Sequence, residues 1–346
     1  MPTLQADGAS RPTLSRVAAD AAVSVSTVSK VLNGRAGVSR ATRQRVEKTL
    51  QDHGYSRRNQ VQPSAQFIEL VFSRLDSSWA LEMIVGAERV ARESGMSVLL
   101  TETGDRHSPG PEWVSGVLAR QPAGVLLMFS DLSAEDRRML GTRDIPFVVI
   151  DPAGDPAADV ASVGTANWSG GFLATRHLIE LGHCDIAIIT GPDDMLCSTA
   201  RLSGYRAAMD AAGLSVPPGF VVSGDFHHED GLGRGRELLS SDRRPTAIFA
   251  GSDLQAFGVY EAAREREIAI PDELSVVGFD DIRPAAWAGP PLTTVRAQLT
   301  EMAEAATRLV LRMRRESTPE RIELATRLIV RASTAPPATV KSPVVL

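Results

Sequence analysis

Seven polar clusters in this 346-residue chain stand just beyond short apolar runs: Arg74 with Asp76, Ser130-Asp131, Asp151, Asp193, Asp225-Phe226, Ser252-Asp253 and Asp280-Asp281. Their residue types suit a polyhydroxylated ligand. Carboxylates accept from vicinal hydroxyls, an Arg donates to ring oxygens, and an aromatic face covers C–H surface. A phosphate ligand would call for Gly and Lys, and neither a P-loop nor a GxGxxG follows any of these runs. An Asp after a strand also often caps the next helix, and Asp131 and Asp193 read that way as readily as ligand groups. Asp280 differs, because Asp281 and a loop containing Pro284 follow it and no helix clearly starts there.

A second chemistry sits near the N-terminus in VAADAAVSVSTVSKVLNG, residues 17–34. Leu14, Val17, Ala18 and Ala21 recur at helical spacing, as do Val28, Val31 and Leu32. Ser24 stands where an N-cap belongs, able to accept from the backbone N–H of Ser26 or Thr27, and Asn33-Gly34 supplies a stop. Opposite the second apolar stripe lie Ser26, Ser29 and Lys30, flanked by Val25 and Thr27. Small polar and basic side chains there suit close approach to phosphates and base edges, and two short helices around a tight turn make a helix-turn-helix. A third helix follows Ser39, with Val46 and Leu50 inward and Arg40, Arg43 and Arg45 available for phosphates.

Charge supports a nucleic-acid module. Residues 11–60 carry ten Lys/Arg against three acids, a charge of +7, which leaves −12 on the rest of a chain whose net charge is −5. The two cysteines, Cys184 and Cys197, have neither metal-knuckle nor disulfide spacing and point to the reducing cytoplasm. No signal-peptide core or membrane-length apolar run is present, so no membrane partner is expected. Phe226-His227-His228-Glu229 lacks a nearby third ligand, and no catalytic grouping or dinucleotide fingerprint is recognisable. Neither an enzyme nor a cofactor or metal is expected. His107, His177 and His183 read as surface or helix-end residues.

From Phe67 onward, the runs FIELVF, MSVLLT, GVLLMF, PFVVID, IAIITG, FVVSGD, TAIFAG and LSVVGFD alternate with amphipathic helical stretches. They read as buried parallel strands with crossover helices, an α/β pattern of doubly wound sheets. Two open sheets account for this length better than one oversized sheet. Ligands of such sheets bind beyond the carboxyl ends of the strands, where the polar clusters lie.

The stretch TLSRVAADAAVSVSTVSKVLNG followed by VSRATRQRVEKTLQDHGY, from Thr13 to Tyr55, resembles the DNA-binding headpiece of the LacI family of bacterial transcription regulators. By that resemblance Val25, Ser26 and Lys30 read bases in the major groove, while Ser24, Thr27, Ser29 and Asn33 contact backbone; Leu14, Arg57 and Arg58 complete the DNA face. Two departures stand out. Ala22 replaces the usual turn Gly, and SRRNQVQPSAQF has no Leu and contains Pro63, so the family's usual hinge helix is not expected. The resemblance continues to about Ser333 through LGHCDIAIITGP, ARLSGYRAAM, AIFAGSDLQAFGVYEAARE, IPDELSVVGFDD and PPLTTV, which are similar to a periplasmic-binding-protein-like effector core.

It implies effector contacts at Arg201, Ser252, Asp253 and Asp280, with Asp151 beside them, Phe226 as a stacking aromatic and Trp79 as another. Trp168 and Trp287 read as packing residues. The implied protein is a repressor that binds double-stranded operator DNA as a homodimer under control of a mono- or oligosaccharide, with a purine as the alternative effector. The expected divisions are a disordered arm (1–11), headpiece (12–56), linker (57–66), core (67–333) and flexible tail (334–346). Within the core, one subdomain takes about 67–163 and 295–318, the other about 164–294 and 319–333. The Pro-rich tail lacks heptads, which favours a dimer over a tetramer.

Overall fold

The computed structural model describes residues 13–32, 37–53, 67–104, 109–129, 132–152, 154–314 and 318–338. They belong to two compact units divided between Ser64 and Ala65. Asn33, the linker with Arg57 and Arg58, Ser130-Asp131, His107, the N-terminal arm and the end of the tail lie outside the described residues.

The first unit holds α1 (Leu14–Asp20), α2 (Val25–Leu32) and α3 (Arg40–Asp52). Val17, Ala18, Ala21, Val28, Val31, Val46 and Leu50 form its core, the stripes that the helical spacing predicts. Ser24 Oγ accepts from Thr27 N at 3.1 Å and Ser39 Oγ from Thr42 N at 3.2 Å, so both hydroxyl caps form. Ala22 carries the tight turn at φ +51°, a left-handed conformation that an L side chain disfavours. Glycine there relieves the strain but adds freedom to the unfolded chain. Ala22→Gly is therefore expected to slow hydrogen exchange of the α2 amides by about threefold, a net gain of well under 1 kcal/mol; faster exchange would contradict it.

In the second unit, β1 (Phe67–Phe72), β2 (Ser97–Glu102), β3 (Val125–Met128), β4 (Phe147–Ile150) and β5 (Ser162–Thr165) alternate with α4 (Ser78–Glu93), α5 (Gly110–Arg120) and α6 (Ala134–Gly141). After α7 (Asn167–Glu180) come β6 (Ile186–Ile189), α8 (Leu196–Ala211), β7 (Val221–Val222), α9 (His228–Leu239), β8 (Ala247–Ala250), α10 (Asp253–Glu265), β9 (Ser275–Asp280) and β10 (Thr293–Arg296). The chain closes with α11 (Leu299–Met313), β11 (Arg321–Leu324) and β12 (Arg327–Ile329). Two sheets result, of order β11-β5-β4-β3-β1-β2 and β12-β10-β9-β8-β6-β7. All pairings are parallel except β10 with β12, which is antiparallel.

Strand alternation distributes the core. Ile68, Leu70 and Phe72 face α4 and α11, while Val71, Val125 and Leu127 face α5 and α6 around Trp113 and Val117. In the second sheet Ile186 and Ile188 join the first of these clusters, whereas Ala187 and Ile189 pack with α9 and α10. A charged side chain interrupts β1: Glu69, fully buried, accepts from Thr101 Oγ1 (2.8 Å), Trp113 Nε1 (3.0 Å) and Arg120 Nη2 (2.6 Å). A buried carboxylate tolerates that position because these donors satisfy it.

The chain crosses between sheets three times, between Thr165 and Asn167, after Arg296, and between Leu324 and Arg327. The expected subdomain bounds put the last crossing near Pro319 and the return to the first lobe at residue 295. However, β11 still pairs with β5 and Val295 still pairs with Phe279, because short, half-polar edge strands carry no apolar run to mark them.

Three smaller expectations also change. The tail does not begin free at residue 334, since His183 Nε2 lies 2.9 Å from Ala335 O and His177 Nε2 lies 3.0 Å from Thr334 Oγ1. His183 is accordingly a core residue, 2% exposed, with Thr246 Oγ1 2.9 Å from its other nitrogen. Finally, Trp168 and Trp287 are 48% and 74% exposed, so neither fills a core gap of this chain. Trp168 stacks on Phe172 along the surface of α7, and Trp287 ends a 3-10 turn, Arg283–Ala286.

Candidate functional site

The headpiece presents α2 outward. Val25, at 44%, is an exposed aliphatic side chain, with Ser24, Ser26 and Lys30 exposed beside it and Thr27 and Ser29 half-buried. Ser24 Oγ lies 2.8 Å from both Ser26 Oγ and Thr27 Oγ1, which orders the hydroxyls along the helix start. Leu14 is half-buried at the first position of α1 and packs against the headpiece core. Among the described residues, the sequence-predicted DNA contacts run along α2 and its cap from Ser24 to Lys30, with Leu14 at the start of α1.

The core contains a cavity of about 300 Å³ at the carboxyl ends of both sheets. Trp79, Asp151, Arg201, Phe226, Ser252 and Asp280 all line it, so six effector positions read from sequence converge there. The parallel strands explain the convergence: every βα turn of an open sheet opens on the same edge. Arg74, Asp76 and Asp225 of the polar clusters line it too, joined by residues not read as ligand contacts, including Phe129, Met195, Cys197, His227 and Leu254.

Arg201 is the centre. It is 5% exposed, projects from α8, and donates from Nε to Asn167 Oδ1 (2.8 Å) and from Nη1 to Gly251 O (2.6 Å). Its Cζ lies 3.7 Å from the Phe279 ring centroid and 5.3 Å from that of Phe226, and Nη2 lies 3.9 Å from Asp151 Oδ2. Asn167 follows the first crossing and also donates Nδ2 to Asp151 Oδ1 and Thr165 O, each at 3.1 Å. The guanidinium is therefore fixed from three sides, and Nη2 is directed toward Asp151. Sequence reasoning missed Asn167, and only its place at the head of a helix after a strand hinted at a role.

Phe226 takes φ +72°, and its ring covers Gly191, where a Cβ would stand 2.0 Å from the ring. Ser252 Oγ caps α10 by accepting from Gln255 N (3.1 Å) and donates to Phe226 O (2.8 Å), so this serine positions the aromatic residue. Across the cavity Trp79 stacks on Phe129 with centroids 4.8 Å apart and planes at 25°. Two aromatic walls thus face a polar floor.

Asp253 departs from the sequence reading. It is fully buried and does not line the cavity; its Oδ2 accepts from Ile282 N (2.9 Å) and its Oδ1 from Thr294 Oγ1. Both oxygens are spent on holding the loop after Asp280, a structural duty that only the tertiary fold creates. Asp193 is exposed, lies outside the cavity and does not cap α8, whose N-cap is Met195. Asp281 pairs with Arg331 at 2.6 Å.

The Asp280 carboxyl, buried at the cavity wall, has no hydrogen-bond partner among the described residues. Burial pushes it from its ordinary 3.8 up to about 7, against the pull of Arg201 and with a further push from Asp151. Burial also raises Asp151, opposed by Arg201 and the Asn167 amide, and lifts the Cys197 thiol to about 12. The floor is thus a guanidinium between two desolvated carboxyls, an arrangement suited to donors and acceptors on a neutral ligand.

Residues 13–58 match the family model of bacterial regulatory proteins, lacI family, and residues 175–334 match that of a periplasmic binding protein-like domain. The ribose operon repressor of Escherichia coli (strain K12) is 35% identical over 300 residues, covering 85% of this chain and 90% of its own. The HTH-type transcriptional regulator CelR of Thermobifida fusca is 38% identical over 341 residues, covering 93% and 98%. Among solved structures, the transcriptional regulator CelR-cellobiose complex superposes with a TM-score of 0.69 at 34% identity, covering 93% of this chain and all of that one. No helix among the described residues is long and apolar enough to cross a membrane. The chain belongs to the LacI family of bacterial regulatory proteins: it is a DNA-binding transcriptional regulator with a helix-turn-helix headpiece and a periplasmic-binding-protein-like core.

Proposed function

We propose that this regulator is a repressor that binds a near-palindromic operator as a homodimer and takes a neutral saccharide in the core cavity, whose occupancy changes operator affinity. One observation carries the effector class. An Asp280 carboxyl with no hydrogen-bond partner among the described residues and the anchored Arg201 share the cavity with the Trp79–Phe129 wall and Phe226. Flat apolar faces above hydroxyl-binding groups suit a sugar ring, and about 300 Å³ is at the small end of ligand sites. The names of relatives support the same class, since one is a ribose operon repressor and another was solved with cellobiose. The headpiece works from residues 12–56, reading bases with Val25, Ser26 and Lys30. Arg57 and Arg58 add phosphate contacts, and the cytoplasm is its compartment.

Fluorescence anisotropy on labelled DNA from upstream of the gene, with a panel of sugars that includes ribose and cellobiose, tests this reading. Nanomolar, salt-sensitive binding that one sugar alters is the expected result. Response to a purine alone would replace the saccharide, and failure to select any sequence from a random DNA pool would end the operator reading. Lys30→Ala should weaken operator binding by about tenfold and relax preference at one base pair. Uniform weakening on all sequences would make Lys30 a phosphate contact instead.

A further inference from the structure

Outside the cavity lining, a largely covered carboxylate joins the two lobes. Glu82 lies on α4, one helical turn after Trp79, in the lobe of the first sheet. Arg283 lies three residues after Asp280 in the lobe of the second. Arg283 Nε stands 2.9 Å from Glu82 Oε1, and Thr300 Oγ1 on α11 donates to Glu82 Oε2 at 3.0 Å. The Glu82 side chain is only 12% exposed and that of Arg283 is 58% exposed. Gly86 sets this geometry, since a Cβ there would meet Thr300 O at 2.2 Å; its absence lets α4 approach α11 and brings Glu82 to the Thr300 hydroxyl. One carboxylate oxygen is thus tied within its own lobe, and the other reaches across. Neither Glu82 nor Arg283 lines the cavity.

We propose that the Glu82–Arg283 pair is a closure latch: two positioning residues that set how readily the lobes part, and hence effector affinity, without contacting the effector. The elements that carry Trp79 and Asp280 into the cavity are the elements that the pair ties together, so its loss lets the cavity walls separate. Removing one partner of a pair with a desolvated carboxylate leaves that charge uncompensated in the closed arrangement, which shifts the balance toward opening. The inference rests on reading the cavity as the effector site, but its test needs no effector.

Cys197 reports opening directly, because it lines the cavity and is 1% exposed, whereas Cys184 is exposed. In the ligand-free full-length protein, methyl methanethiosulfonate modification of each cysteine is followed by peptide mass spectrometry. Glu82→Gln and Arg283→Met are expected to speed Cys197 modification by about tenfold with Cys184 unchanged, while Arg283→Lys, which keeps the cation, stays within about threefold of wild type. Equal Cys197 rates in all four proteins would overturn the latch. So would an Arg283→Lys rate equal to that of Arg283→Met, since side-chain packing rather than charge would then hold the lobes. Neither result depends on whether any sugar alters DNA binding, so failure of the latch and failure of the saccharide reading are told apart.

Discussion

Arg201→Ala should lower effector affinity by about a hundredfold or more, measured by calorimetric titration with whichever sugar alters DNA binding. The expected loss is large because three effects add. The ligand loses a charge-assisted donor held in place by Asn167 and Gly251. The Asn167 and Gly251 oxygens lose their buried partner, and Asp151 and Asp280 lose the guanidinium beside them. Asp280 then moves further toward its neutral form, which cannot accept from ligand hydroxyls with both oxygens. Arg201→Lys should recover only a minor part, since an ammonium keeps the charge but cannot reach Asn167, Gly251 and the ligand from one plane. Lys at wild-type affinity would show that charge alone suffices and that the anchoring described above is incidental. DNA binding without effector should persist in both variants, because the headpiece is a separate unit with its own core.

Asp280→Asn should raise stability and weaken effector binding at once, with a pH signature. The folded chain holds the Asp280 proton up to about pH 7, whereas the unfolded chain releases it near 3.8. Folding therefore takes up a proton between these values, and stability is full below pH 4 and falls as pH climbs through the window. The penalty at pH 8 is on the order of 4 kcal/mol at most, and half of that would move the melting temperature by about 5 °C in a domain of this size. The variant should melt about 5 °C above wild type at pH 8 and together with it at pH 4. Effector affinity of wild type should rise roughly tenfold from pH 6 to pH 8 as the carboxyl ionises, while the variant stays weak and flat. An equal melting difference at both pH values would show that Asp280 is ionised throughout. A protein that keeps such a residue gives up stability for a ligand-ready carboxylate, a trade common at binding sites.

How much of this was legible beforehand depended on the range of the interaction concerned. The headpiece was readable because its determinants are local: the Val17/Ala18 and Val28/Val31 stripes, the Ser24 and Ser39 caps and the strained Ala22 turn each lie within a few residues of what they control. Most long apolar runs also read correctly, since a central parallel strand such as IAII is buried on both faces and must be apolar, whereas MSVLLT, expected to be buried, forms the edge strand β2 with Leu100 41% exposed. SVGT, TTVR, RIEL and RLI did not, and they are the strands next to the crossings. Thr293 and Thr294 are fully buried there, but hydrogen bonds to Ser333, Thr334 and Asp253 rather than apolar side chains satisfy their polar groups, so no hydropathy pattern marks them.

By itself, then, the sequence determined the kind of protein and most of the cavity wall, because parallel strands send their carboxyl-terminal residues to one edge however the lobes are arranged. What the tertiary structure decided was the duty of each polar group. Asp253 and Asp280 look alike in sequence, each in a polar cluster after a strand; one is consumed by Ile282 N and Thr294, and the other is left for a ligand. Asn167 and Glu82 acquire their roles only from Arg201, Thr300 and Arg283, residues 34, 218 and 201 positions away. A hydrogen bond acts over about 3 Å in space, and no local pattern in the chain records which distant donor will arrive there.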